Sequence, residues 1–318
     1  MTEADNPTRT MSNANLRSIF LMVAAMGCFT LVDLLIKIAS QTLPVGQVMM
    51  TLGAGSTAVF VFLIIARGEA VRIAPLRQPA MLLRNAGDII AGMTMSLALA
   101  YVPISIIGAV IQAVPLMLTA AAALFLGERV GIRRISAILV GFSGVLFIIQ
   151  PGRSDFDWMV ILAVIAAVGL TIRDIGTKLV SQDVSTLLVS FYASIMFTAS
   201  GGALLMVRGG ASIPNAGMVL MFAVMIALGC LGYICVTNAV RQGDMSVVSP
   251  FRYTRMLFSV AVGIVILGEE VNNMMMFGCA LTIGAGLYIW RRELVLKPKP
   301  VTNSCLLYTS PSPRDQLQ

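Results

Sequence analysis

From residue 18 to residue 290 the chain is a succession of apolar stretches of membrane length, each closed by a short break. The stretches fall at 18–39, 47–66, 80–101, 104–126, 134–150, 158–179, 186–207, 217–240, 246–267 and 273–290. A helix needs about 20 apolar residues to cross a bilayer, so ten such helices occupy nearly the whole chain. The breaks carry helix-stopping residues, at Gln41 to Gly46, Arg67 to Pro79, Gly127 to Arg134, Pro151 to Asp157 and Gly209 to Gly217. The break at Val102-Pro103 is the tightest. The expected fold class is all-α and polytopic, with ten transmembrane helices. Composition agrees: 58% of residues are hydrophobic and 12% charged, against about 25% charged in soluble domains. This excludes a soluble enzyme with a polar shell, a disordered chain and a nucleic-acid binder, despite a formal charge of +7.

That basic balance reports orientation. Residues 1–15 lack the charged start, short apolar core and cleavage site of a removable signal, so the first span is expected to be retained. With the N-terminus inside, the inner segments hold Arg9, Arg17, Arg67, Arg72, Arg77, Arg84, Arg129, Arg133, Arg134, Lys178, Arg241, Arg291, Arg292, Lys297 and Lys299. The outer segments hold only Arg153 and Arg208. The positive-inside rule therefore puts both termini in the cytoplasm, with residues 1–15 and 292–304 as cytoplasmic tails. Residues 305–318 break sharply from this style. Cys305 to Asp315 reads CLLYTSPSPRD, which matches translated read-through of a sequencing adapter and is set aside from fold reasoning.

The chemistry is narrowed by what is missing. There is no histidine, the commonest proton shuttle and metal ligand. Cys28, Cys230, Cys235 and Cys279 lie inside apolar runs without metal-type spacing and read as packing residues. No phosphate-cradling GxxxxGK[ST] loop is present. No catalytic residue, metal site or cofactor is expected.

Two patterns recur at one offset. Asp33 and Lys37 near the end of the first span are matched by Asp174 and Lys178 in the sixth, and Leu126-Gly127-Glu128 by Leu267-Gly268-Glu269. Both offsets are 141 residues. A repeat of five spans reverses its orientation in the membrane, the inverted-repeat architecture of many secondary transporters. The two halves are expected at 16–150 and 151–291.

Ionisable residues inside spans are functional candidates by default. Asp33 with Lys37, and Arg84 with Asp88, are four residues apart and able to pair on one helix face. The sixth span holds Arg173, Asp174 and Lys178, and the ninth Arg252, Tyr253 and Arg255. The ninth-span arginines have no acid on their own span, and two guanidinium groups can grip a carboxylate or phosphate. Arg252, Arg255, Tyr253, Arg173, Asp88 and Tyr101 form the expected substrate site. Tyr253, Tyr101 or Tyr192 would stack on a ring or cation. A second reading has Arg252 and Arg255 neutralising Asp33, Asp88 or Asp174 across helices, or reaching the inner face. Asp33, Lys37, Asp174 and Lys178 are the coupling or gating candidates, through salt bridges that break alternately or a carboxylate that carries a proton. Glu128 and Glu269 are read as structural turn residues, the glycines as helix-packing positions, and Pro115 as a kink that frees a carbonyl.

Several of these pieces resemble the EamA-type, ten-helix branch of the drug/metabolite transporter superfamily. They are Asp33/Lys37, Arg84, Ala98-Leu99-Ala100-Tyr101-Val102-Pro103, the two Leu-Gly-Glu segments, and Pro250-Phe251-Arg252-Tyr253-Thr254-Arg255. The resemblance covers about residues 16–291. It implies a secondary transporter of a small polar metabolite such as an amino acid or S-adenosylmethionine, working by alternating access in a bacterial inner membrane. Efflux of cationic drugs is the alternative in the same class, and a membrane enzyme or assembly subunit the alternative outside it. The implied partners are the substrate, the lipid bilayer, a proton or counter-substrate, and a second copy in a homodimer.

Overall fold

The computed structural model describes residues 13–72, 74–125, 132–151, 157–181, 183–242 and 248–296. The expectations for the far termini and for Glu128 lie outside the described residues, as does the side chain of Lys178. Among the described residues every regular element is helical: α1 (Asn13–Ala39), α2 (Val45–Ala66), α3 (Pro79–Tyr101), α4 (Ile104–Ile111), α5 (Val114–Phe125), α6 (Ile132–Ile149), α7 (Val160–Leu179), α8 (Thr186–Arg208), α9 (Ala216–Gln242), α10 (Thr254–Val265) and α11 (Asn273–Leu296). Short 3₁₀ turns occupy Ala74–Arg77 and Ser249–Tyr253.

Six of these helices contain segments long and apolar enough to cross a membrane, in α1, α2, α7, α8, α9 and α11. The remaining four expected spans have identifiable reasons to fall short. α3 carries Arg84, Asn85 and Asp88 in its interior. α6 has Arg133 and Arg134 in its first turn. The ninth span begins as the Ser249–Tyr253 turn before becoming α10. The fourth is broken between α4 and α5, where Gln112 and Ala113 donate to Ala109 and Val110 in tighter three-residue bonds. Pro115 causes that break, because it offers no N–H to the carbonyl four residues back. Element boundaries elsewhere agree with the apolar stretches to within a few residues.

Prolines and glycines set the ends. Pro44 and Pro103 precede α2 and α4, and Pro79 opens α3. Ser185 caps α8 by accepting from the Leu188 N–H at 3.3 Å, while Gly209, at φ 67°, stops it. Phe20, Phe62, Ile132 and Met206 are 69–88% exposed. Exposed apolar side chains on this scale suit a lipid-facing perimeter, not one in water.

The principal helix pairings are α3 with α7, α2 with α8, α1 with α9, and α6 with α11, followed by α4 with α10. Glycines make three of these seams close. Gly46 and Gly53 of α2 lie against Gly201 and Thr198 of α8, and Gly144 of α6 against Gly278 of α11. Gly87 of α3 faces the Arg173 backbone, and Gly176 of α7 faces the Arg84 backbone. Small residues let helix backbones approach where lipid supplies no hydrophobic drive for association. Gly284, also expected as a packing position, has no neighbour within 4 Å of where a Cβ would sit.

Candidate functional site

The glycine seam between α3 and α7 is what assembles the site. Because Gly87 and Gly176 bring the two backbones together, Arg84 and Asp88 on α3 meet Arg173 and Asp174 on α7. Arg84 Nη1 lies 2.8 Å from Asp88 Oδ2, the intrahelical pair that the spacing predicts. Arg173 donates from Nε at 3.0 Å and Nη2 at 2.7 Å to Asp174 Oδ1, with its Nε also 4.0 Å from Asp88. Arg252, at the end of the 3₁₀ turn, brings Nη1 to 3.6 Å from Asp174 Oδ2. Arg84, only 1% exposed, donates further to the Tyr233 hydroxyl at 3.0 Å and to Asn85 Oδ1 at 3.4 Å.

A second pair lies between α1 and α10. Arg255 Nη2 donates to Asp33 Oδ2 at 2.6 Å. The same guanidinium sits 5.9 Å from the centroid of the Phe29 ring, within the range of a cation–π contact. Tyr233 packs edge-on against Phe29 and Phe60, with centroids 6.4 and 6.3 Å away. Phe29, Tyr233 and Asn85 were not among the sequence candidates. An aromatic or amide within an apolar run carries no periodic signal that separates site from packing.

Asp33 and Lys37 do not pair with each other as their spacing allows. Asp33 is taken by Arg255, and Lys37 turns to the end of α3, where Nζ donates to Val102 O at 2.6 Å and Leu99 O at 3.3 Å. The last carbonyls of a helix attract a cation through both hydrogen bonding and the helix dipole. Just beyond, Glu269 accepts from Ile104 N at 2.7 Å, Ser105 N at 3.0 Å and Ser105 Oγ at 2.6 Å. A lysine from α1 and a glutamate following α10 thus cap the two helix ends that meet at Val102-Pro103. Gly268, at φ +65°, turns the chain so that Glu269 folds back along α10 beside Gly263.

The tyrosines separate. Tyr101 is half exposed at the rim, where its hydroxyl accepts from Arg208 at 3.3 Å, in a shallow cleft with Ser40, Pro44 and Leu205. It is not part of the charged cluster. Tyr192 is buried against Phe191 and donates to the Arg72 carbonyl. Tyr253 is 8% exposed, with its hydroxyl unpartnered and its ring filling the space left by Gly286 of α11. The structure therefore brings together Asp88, Arg173, Asp174 and Arg252, joins Asp33 to Arg255 nearby, and leaves Tyr101 and Lys37 at one end of the bundle. Chemically, the assembly is a mostly desolvated set of guanidinium and carboxylate groups that can exchange partners with a charged solute.

Residues 157–291, which include Arg173, Asp174, Arg252 and Arg255, match the EamA-like transporter family. This segment is similar to an EamA-like transporter domain. A riboflavin transporter of Rhizobium johnstonii is 28% identical over 202 residues, covering 64% of this chain and 67% of its own. An S-adenosylmethionine uptake transporter of Rickettsia bellii is 24% identical over 202 residues, 62% of this chain and 68% of its own. A pseudopaline exporter of Pseudomonas aeruginosa is 24% identical over 276 residues, 85% of this chain and 92% of its own. A solved crystal structure superposes with a TM-score of 0.59 over 87% of this chain and 96% of its own, at 19% identity, and so shares the fold. The chain is a multi-pass membrane protein similar to transporters of small metabolites, as its resemblance to the drug/metabolite transporter superfamily implied.

Proposed function

We propose that this protein is a secondary transporter that carries a small polar metabolite across a bacterial inner membrane by alternating access. The substrate is an amino acid or an amino-acid-derived compound such as S-adenosylmethionine. The observation that carries this reading is a cluster of paired charges inside an apolar bundle whose arginines remain partly accessible: Arg173, Arg252 and Arg255 are 27%, 30% and 18% exposed. Placing so many ionisable groups among membrane helices is costly unless they serve a solute path. The surplus of arginine favours a substrate bearing an anionic group over efflux of cationic drugs. The transporter relatives favour transport over a membrane enzyme or an assembly subunit.

The helix pairings support two inverted five-span halves. Exchanging the halves maps α3–α7 onto α9–α1, and returns α2–α8, α6–α11 and α4–α10 to themselves. The positive-inside count supports cytoplasmic termini, with Tyr101 and Glu269 at the outer end. Asp33, Lys37, Asp174 and Lys178 are the gating set, and a proton or counter-substrate supplies the drive. A homodimer is compatible with this architecture. Reconstitution into liposomes, with radiolabelled amino acids, S-adenosylmethionine and riboflavin, tests the proposal. Saturable flux of an amino-acid-type substrate is expected. Absence of flux for the whole panel from folded protein refutes it.

A further inference from the structure

Among the described residues, the arginine and aspartate charges inside the bundle do not balance. Four arginines, Arg84, Arg173, Arg252 and Arg255, face three aspartates, Asp33, Asp88 and Asp174. Each aspartate has one close guanidinium: Asp33 has Arg255 at 2.6 Å, Asp88 has Arg84 at 2.8 Å, and Asp174 has Arg173 at 2.7 Å. Among the described residues, Arg252 is the guanidinium left over. Its nearest carboxylate oxygen, at 3.6 Å, belongs to an aspartate that Arg173 already neutralises. Its Nε is buried without a hydrogen-bond partner, yet its side chain is the most exposed of the four, at 30%.

We infer that Arg252 is the substrate's anion anchor and that Arg255 is a structural clamp, so that the site takes a solute with one carboxylate. This deepens the transport reading above and rests on it for the solute's identity. The two arginines, three residues apart in sequence, address different helices. Arg255, on the first turn of α10, holds Asp33 of α1, whereas Arg252, on the preceding turn, leans towards α7. An uncompensated guanidinium in a low-dielectric bundle is unfavourable until an anion reaches it, and a carboxylate matches its forked donors. Arg255 gains nothing from a second carboxylate, because Asp33 already neutralises it.

The assignment is tested on purified protein in uncharged detergent. Thermal stability is measured with sodium acetate against chloride at matched ionic strength, and with S-adenosylmethionine against its carboxyl methyl ester. Acetate and S-adenosylmethionine should raise the melting temperature of the parent protein, and the ester should be weaker. Arg252→Gln should bind the carboxylates about 10- to 100-fold more weakly, the loss of one or two hydrogen bonds to a charged group, with its own melting temperature unchanged or raised. Arg255→Gln should melt lower, recover in the Asp33→Asn/Arg255→Gln pair, and keep its carboxylate response in that pair. The inference is overturned if no carboxylate stabilises the parent protein. It is equally overturned if Arg252→Gln melts as low as Arg255→Gln, or if the doubly neutral pair loses the carboxylate response. Flux in liposomes is scored separately, so failure of transport and failure of this anchor are distinguishable.

Discussion

Glu269→Ala is the most informative single change outside the charged cluster. α4 begins after Pro103, which contributes no side-chain cap, so its first N–H groups depend on an acceptor from elsewhere. Glu269 provides it through three bonds, at 2.7, 3.0 and 2.6 Å, to the Ile104 and Ser105 amides and the Ser105 hydroxyl. Ile104 and Ser105 are each 1% exposed, so in the parent protein their amides rely on Glu269 rather than on solvent. Side-chain hydrogen bonds between membrane helices contribute about 0.6 kcal/mol on average and about 1.7 at most. Three of them give about 2–5 kcal/mol for Glu269→Ala. Glu269→Gln keeps one acceptor oxygen and should lose about half as much. The assay is reversible unfolding in mixed micelles, followed by helical circular dichroism. Gly263→Ala should act on the same cap, since a Cβ there would sit 2.6 Å from Glu269 Oε2. The two changes should then be less than additive. If Glu269→Ala lies within about 0.5 kcal/mol of the parent, as surface substitutions do, the capping argument is wrong.

Other perturbations follow from the same geometry. Gly87→Ala would place a Cβ 2.8 Å from the Arg173 Cα, and Gly176→Ala one 2.7 Å from the Arg84 Cα. Both should lower the melting temperature, while Gly284→Ala, in open space, should leave it unchanged. Tyr101→Phe should transport with an unaltered KM, because the Tyr101 hydroxyl meets Arg208 at the rim, away from the charged cluster. Tyr233→Phe should raise KM by freeing an Arg84 Nη2 donor, so equal effects of the two changes would contradict the site assignment. Lys37→Met removes the cation from the Leu99 and Val102 carbonyls and should lower stability by about 1 kcal/mol, measurable by the same unfolding curves.

The helices, six of them long and apolar enough to cross a membrane, were readable in the sequence because apolar length and helix-breaking residues are local properties. The broken fourth span was partly readable too, through Pro115. The interhelical charge partners were readable only as a set: the second reading named Asp33, Asp88 or Asp174 for Arg252 and Arg255 without saying which goes with which. Spacing says which side chains on one helix can meet, and it placed Arg84 with Asp88 correctly. It also allowed Asp33 with Lys37, which loses to Arg255 because the interhelical partner is a guanidinium already held close over Phe29. Reading Arg252 and Arg255 as a single fork assumed that nearby residues act together. The change from 3₁₀ turn to α-helix between them sends each to a different neighbour. Tyr101 looked like a site residue for its chemistry, although its position as the last residue of α3 already implied the rim.

The proposed repeat gives a physical reason for locating chemistry on the ninth span. On a 141-residue correspondence Asp33 and Asp174 are equivalents, and both are approached by arginines of the same four-residue segment, 252–255. Shifting that segment back by 141 residues lands Arg252 on Ile111 and Arg255 on Val114. These are the residues flanking the break between α4 and α5, each 7% exposed. On that correspondence the two proposed halves match in their aspartates and exchange their helix pairings, and differ at the breaks in the fourth and ninth spans: an apolar kink in one, a cationic turn that meets both aspartates in the other. Symmetry suffices for two halves that rock against each other. On the proposed transport reading, recognition of a solute with one charged end requires that the symmetry be broken, and this pair of breaks is where the proposed halves differ in charge. Introducing arginine at Ile111 would restore the symmetry in charge. It should cost stability, since Asp33, Asp88 and Asp174 each already hold a close guanidinium, and it should weaken discrimination between S-adenosylmethionine and its methyl ester. An Ile111→Arg protein as stable and as selective as the parent would remove the kink from the site.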